Sequence, residues 1–273
     1  MELTWLLQAG LSPFPYDRAA LLIAVDEHPD LDFPACESRL DGFALRAQQS
    51  VRPDREQDAR ERIGALRRVL FEEEGFHGNR REYYDVRNSY LHEVLERRLG
   101  IPISLGVLCL GVARRVGWDL EPVNFPNHFL LRWVASDEVL AIDPFNGALV
   151  LGEDDLREMW RAATPRDAPE PASLLRAAQP REVVARMLNN IWIVHRAQGR
   201  YRPAALALEK LALLFPAHPA YERDVGSMRL AAGDLQGALS SFERYLERAP
   251  HAEDAPRVSR DVARLRAALG SQF

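Results

Sequence analysis

Four residue pairs in the last third of the chain recur at an offset of 34: Gly199 with Gly233, Ala204 with Ala238, Leu208 with Phe242, and Pro216 with Pro250. An offset of that size means one supersecondary unit used twice, each copy too small to bury its apolar face alone. The residue types point to a helical hairpin. Glycine is expected at the crowded crossing of the two helices, alanine where the second helix packs closely, a large apolar residue further along it, and proline where the hairpin ends. The spacing predicts hairpins over about 185–218 and 219–252, and a capping helix from about Ala255 to Leu269 that closes a stack too short to close itself.

Thirty-four residues is the period of the tetratricopeptide repeat. The region 181–273 is therefore expected to be two such repeats plus the cap, and a linker, 164–180, precedes it, with three prolines between Thr164 and Pro171. The chain before the linker reads differently. Residues 1–80 look like helices interrupted at prolines, with helical spacing over Asp17 to Val25, Ala35 to Ser50, and about Asp54 to Glu74, where Gly75 makes a stop. Residues 81–163 carry one helix from Asn88 to Leu99 that ends at Gly100. A second, begun by Pro102 and running to about Val116, is apolar on nearly every side. Strand-like runs follow at Glu121 to Phe125, His128 to Ala135, Glu138 to Ile142 and Leu149 to Leu151, with Ser136-Asp137 as a turn. A buried helix followed by an antiparallel sheet is an α+β pattern, so the fold class is α+β with a helical N-terminal part and an all-α C-terminal part.

Composition narrows the function classes. The 35 basic and 40 acidic residues give a net charge of −5, which argues against nucleic acid as the main partner. No apolar run approaches the roughly 20 residues of a membrane span. The start of the chain lacks the pattern of a signal peptide, and two cysteines cannot form a disulfide framework, so a cytoplasmic protein is expected. No cofactor or metal is expected either. His92 and Glu96 are four apart on a helix, but no third ligand has a recognisable spacing, and they read as a surface pair.

The residues that could carry chemistry are Ser104, His128 and Asp143, in the first turn of the apolar helix, at the start of one strand and at the end of the next. Antiparallel neighbours can set His128 beside Asp143, with the helix N-terminus facing the imidazole, which is a nucleophile, base and orienting carboxylate in one small domain. Each residue also has a plain structural reading. Ser104 can cap the helix start, a role worth about 1 kcal/mol; His128 can be a core histidine bonded to Asp143; and Asp143-Pro144 can start a turn. Cys109, five residues beyond Ser104 and deeper, reads as a packing cysteine.

The stretches Asn88-Ser89-Tyr90-Leu91, Arg98 to Leu105, Phe125-Pro126-Asn127-His128 and Ile142-Asp143-Pro144-Phe145-Asn146-Gly147 resemble the bacterial transglutaminase-like proteins of the SirB type. The resemblance implies a helical N-terminal part, a papain-like core and tetratricopeptide repeats after it. It also implies that serine is usual at position 104 in this branch, where active relatives have cysteine. Asn127 departs from the glycine usual before the histidine. A helix N-terminus and a histidine can hold a thiol as thiolate, but they cannot ionise a serine hydroxyl at neutral pH, so Ser104 would need concerted deprotonation by His128. Three functions follow as expectations. The first is a non-catalytic or weakly catalytic scaffold or regulatory protein whose repeats bind a protein or peptide partner. The second is a serine-dependent hydrolase or acyltransferase using the triad on an amide or ester, and the third is a structural fusion that binds nothing.

Overall fold

The computed structural model describes residues 2–52, 54, 58–135, 138–165 and 174–270; the Ser136-Asp137 turn and most of the expected linker lie outside the described residues. The chain divides into two compact units, residues 1–187 and 188–273.

In the first unit, α1 (Glu2–Gln8), α2 (Tyr16–Ala24) and α3 (Phe33–Ser50) follow the proline-marked breaks. Asp32 caps α3 by accepting the Ala35 N–H at 2.9 Å. The third expected helix starts later than its apolar spacing indicates. Asp58 takes the N–H groups of Arg60 and Glu61, so α4 spans Ala59–Leu66. It runs on as a π-helical turn, Arg67–Glu73, and stops at Gly75, whose φ of +75° suits a glycine C-terminal to a helix.

The next helix is shorter than expected at both ends. Val86–Ser89 form a 3-10 turn capped by Asp85, and α5 covers only Leu91–Arg97. Arg98, not Gly100, adopts the left-handed conformation that ends it, with φ +62°. Gly100 belongs instead to β2 (Leu99–Gly100), a short parallel partner of β1 (His77–Gly78). Then comes α6 (Pro102–Arg115), in which every residue from Pro102 to Ala113 is buried. That burial fits its all-round apolar sequence, because α6 packs against α2 and α3 as well as against the sheet.

The sheet is a four-stranded antiparallel meander in chain order: β3 (Leu120–Val123), β4 (Leu130–Val134), β5 (Val139–Asp143) and β6 (Leu149–Leu151). Successive residues of a strand face opposite ways. Leu131 looks towards α6, where Gly106 lets the helix come so close that an added Cβ would sit 2.5 Å from the Phe129 ring. Leu130 faces the other way, with Val123, Phe125 and Ala141. That second face is covered by α7 (Glu153–Ala163), a helix not anticipated from the sequence, through Leu156, Met159 and Trp160. The unit is α+β, with the sheet between two helices. The start of α8 (Pro180–Ala197) belongs to it.

The second unit holds the rest of α8 and four further helices: α9 (Tyr201–Leu214), α10 (Ala220–Ala231), α11 (Leu235–Arg248) and α12 (Ala255–Gly270). Its core joins Ala238, Leu239, Phe242 and Tyr245 of α11 to Val258, Val262 and Leu265 of α12. The 34-residue offset survives down to single hydrogen bonds. Arg200 N–H donates to His195 O, and Asp234 N–H donates to Arg229 O, both at 2.9 Å.

One expectation about the repeats is corrected. Gly199 and Gly233 are not at helix crossings. They are turn residues with φ of +71° and +82°, and an added Cβ would meet nothing within 4 Å. Both are needed for the left-handed turn between helices, as in a Schellman closure. The crowded crossing uses Gly226 of α10, where a Cβ would lie 2.6 Å from the Phe242 ring. Ala204 and Ala238 are fully buried, as close packing requires.

Candidate functional site

Asp143 and His128 come together. His128 sits in the turn just ahead of β4, not in the strand, and its N–H closes the turn on Phe125 O at 3.1 Å. The two middle residues are Pro126 and Asn127, and Asn127 has φ +52°. Proline then a left-handed residue is the type II pattern, and asparagine tolerates that region better than any residue but glycine. The turn therefore forms despite the departure from glycine. Asp143 ends β5 and opens a 3-10 turn, Pro144–Asn146. Its Oδ1 accepts from Phe145 N at 2.9 Å and Asn146 N at 3.3 Å, and its Oδ2 accepts from Asn146 Nδ2 at 2.6 Å. His128 Nε2 completes the set at 2.9 Å from Oδ1.

These contacts fix the protonation pattern. Burial of Asp143 opposes its charge, but the bonds from His128 and Asn146 outweigh that and hold its carboxyl below the usual carboxylate range. An ionised Asp143 can only accept, so Nε2 faces it as a donor and Nδ1 is the ring nitrogen turned away from Asp143. Nδ1 has no hydrogen-bond partner among the described residues. The imidazole side chain is 17% exposed.

Ser104 is bonded elsewhere. It lies in the first turn of α6, 4% exposed. Its Oγ accepts the Ile101 N–H at 3.0 Å and has Asn88 O at 2.6 Å and Ile101 O at 3.2 Å as acceptors for its one hydrogen. The shorter contact takes that hydrogen. His128 is not among its partners. A chain of close contacts links their neighbourhoods: Gly100 against Ser104, Gly78 paired with Gly100, and the Phe145 ring, 6.2 Å from His128, against Gly78 so tightly that a Cβ there would come within 2.5 Å of it.

Asn88, fully buried, is the hub that sequence reasoning missed. Its carbonyl takes the Ser104 hydroxyl, its Nδ2 donates to Glu82 O at 2.7 Å and Tyr83 O at 3.3 Å, and its Oδ1 accepts from Asn79 Nδ2 at 3.1 Å. Asn88 thus ties the start of α6 to the loop carrying Tyr83, whose ring is 6.1 Å from Phe145. Asn146, which fastens Asp143, was also assigned no chemistry, although both asparagines fall in the motif stretches. Cys109 is buried and its thiol is pushed up to about 12 by desolvation, the state of an inert packing cysteine. His92 is not a surface residue. Its ring packs 4.3 Å from that of His28 and 5.9 Å from Tyr90, and both its nitrogens are buried with no hydrogen-bond partner among the described residues. Among the described residues no three His, Cys, Asp or Glu side chains converge as a metal site requires, and no helix is long and apolar enough to cross a membrane.

The sequence pattern of the Transglutaminase-like superfamily matches residues 34–189, which takes in α3 and α4 as well as the sheet. That of the Tetratricopeptide repeat matches residues 191–270. The chain is 38% identical over 247 residues to a UPF0162 protein of Xylella fastidiosa, covering 89% of this chain and 87% of the relative. A UPF0162 protein of Vibrio cholerae is 32% identical, over 72% of this chain and 73% of its own. F-box only protein 21 of Mus musculus is 33% identical over 194 residues, which are 70% of this chain and 29% of that protein. No solved structure matches the chain.

Proposed function

Because this chain belongs to the transglutaminase-like superfamily and carries tetratricopeptide repeats after that domain, we propose that it is a partner-binding scaffold or regulatory protein. In this reading the transglutaminase-like core serves as a framework and ligand site, with little or no covalent chemistry of its own. The repeats take a protein or peptide, since stacked helical hairpins present an extended face on which a peptide can lie. The SirB-type assignment and a cytoplasmic location belong to the same proposal.

The observation that supports it is the bonding of Ser104. A nucleophilic hydroxyl must point its hydrogen at a base that takes it during attack. The Ser104 hydrogen goes to Asn88 O, its lone pair receives the Ile101 N–H, and the group is buried. The arrangement is that of a structural serine holding a helix start to its neighbour.

A second reading, the serine-dependent hydrolase or acyltransferase on an amide or ester, is favoured by one feature. The His128–Asp143 pair has the orientation of a catalytic dyad, with Asp143 on Nε2 and the second ring nitrogen unbonded among the described residues. Intact-mass measurement of the full chain after treatment with a serine-directed acylating probe separates the two. The expected result is no adduct on Ser104. An adduct that disappears both in Ser104→Ala and in His128→Ala would overturn the scaffold reading in favour of the enzyme.

A further inference from the structure

Arg186, in the part of α8 that belongs to the first unit, shares a carbonyl with the His128 turn. Phe125 O accepts the His128 N–H at 3.1 Å and Arg186 Nη1 at 2.9 Å. The guanidinium also lies over the Phe129 ring, 5.9 Å from its centroid. So the charge is placed against the segment that presents the imidazole, on an aromatic face and a backbone oxygen.

Covered arginines elsewhere in the unit hold carboxylates: Arg97 with Asp85, Arg115 with Asp17, Arg132 with Glu121. No carboxylate among the described residues pairs with Arg186. Burial lowers the pKa of Arg186, and the group that opposes this is the phenol of Tyr83, not a carboxylate. Arg80, which is exposed, stands on the Phe145 side of His128, over the Phe145 ring at 5.1 Å and bonded to Asn146. Buried charges are normally paired. A guanidinium presents five N–H donors in a fork suited to a carboxylate, and among the described residues one of the five is accounted for.

We infer that Arg186 is the anion-recognising residue of the His128 site and takes a carboxylate of the ligand. The carboxylate belongs either to a small organic acid or to a peptide C-terminus. The inference rests on the part of the proposed function in which the core binds a ligand. It is separable from the question of Ser104: an adduct on Ser104 would leave carboxylate binding untouched, and absent binding would say nothing of Ser104.

The test is a titration of the isotope-labelled full chain followed by NMR at the His128 imidazole and the Arg186 Nε–H. The probes are glutarate, an N-acetylated dipeptide with a free C-terminus, the same dipeptide as its C-terminal amide, and inorganic phosphate. Saturable shifts with glutarate or the free-acid dipeptide, and none with the amide, are expected; which of the two acids binds more tightly tells the small acid from the peptide end. Arg186→Lys should weaken binding by roughly tenfold through loss of the fork, and Arg186→Gln should abolish it. Three results would overturn the inference: no shift with either acid, equal shifts with acid and amide, or shifts with phosphate alone. So would unchanged binding in Arg186→Lys, which keeps the inference testable should Arg186→Gln fail to fold.

Discussion

Replacing Ser104 with alanine removes one oxygen and strands two backbone groups. Ile101 N–H has no intrahelical partner because it stands at the start of α6 and is satisfied by Ser104 Oγ at 3.0 Å. Asn88 O loses the hydroxyl at 2.6 Å. Asn88 is fully buried and Ile101 is 4% exposed, so water replaces the lost oxygen poorly. A buried backbone group left unsatisfied costs about 1–3 kcal/mol. Two such groups, partly relieved by local relaxation, give about 2–4 kcal/mol, well above the cap alone at about 1 kcal/mol. Urea unfolding read by tryptophan fluorescence suits the measurement, because Trp5, Trp118, Trp133 and Trp160 all lie in residues 1–187 and only Trp192 in the second unit. The midpoint should fall with the slope unchanged. A loss below about 0.5 kcal/mol, within the range of an unremarkable surface change, would refute the reasoning: the hydroxyl would then be free of these bonds and available to His128.

His92 makes stability fall in mild acid. Burial first, and then the neighbouring His28, lower its pKa from 6.5 to about 4, so the unfolded chain binds the proton first; stability is complete above about pH 6.5 and is lost as pH falls towards 4, by about 1–3 kcal/mol after allowing for partial exposure. His92→Leu should flatten that slope in denaturation curves recorded across the window, and an unchanged slope would assign the acid sensitivity to other groups. Gly226→Ala drives a methyl towards the buried Phe242 ring, and Ala238→Leu overfills a fully buried position; each should cost about 1–3 kcal/mol, read as an earlier helical melt by circular dichroism, whereas wild-type melting would contradict the packing. Asn127→Val places a β-branched residue at φ +52° and should destabilise the first unit by about 1–2 kcal/mol, while Asn127→Gly should be close to neutral in the same urea assay.

Much of the fold was legible because its signals are local or periodic. The 34-residue offset gave the hairpins, and the uninterrupted apolar run after Pro102 announced a helix buried on all sides. The errors have equally local causes. The offset selects glycines that recur, and Gly199 and Gly233 recur because both turns need a left-handed residue. The crossing glycine, Gly226, does not recur: 34 residues earlier stands Trp192, so counting repeats passes over it. Helix α7 is not anticipated from the sequence although Leu156, Met159 and Trp160 stand at helical spacing and three acidic residues, Glu153 to Asp155, open the segment. They are the acidic first turn that favours a helix N-terminus.

At the site, the sequence order Ser104, His128, Asp143 led to a triad, and two of the three meet. His128 and Asp143 are joined by strand register: Leu131 pairs with Ile142, so the residues just before β4 lie across from the end of β5. Register between adjacent strands is readable from alternation and turn position. The surroundings of Ser104 are not, because its partner is a backbone carbonyl 16 residues earlier in chain, brought near by the parallel pairing of His77–Gly78 with Leu99–Gly100. Two-residue strands leave almost no pattern in a sequence. A backbone acceptor leaves none, since every residue has one. The same blindness hid Arg186, whose fixed contact is again a backbone oxygen, Phe125 O. Side-chain chemistry proposes which residues could react. In this chain, backbone carbonyls decide which hydroxyl hydrogen is already taken and which guanidinium still has donors to give.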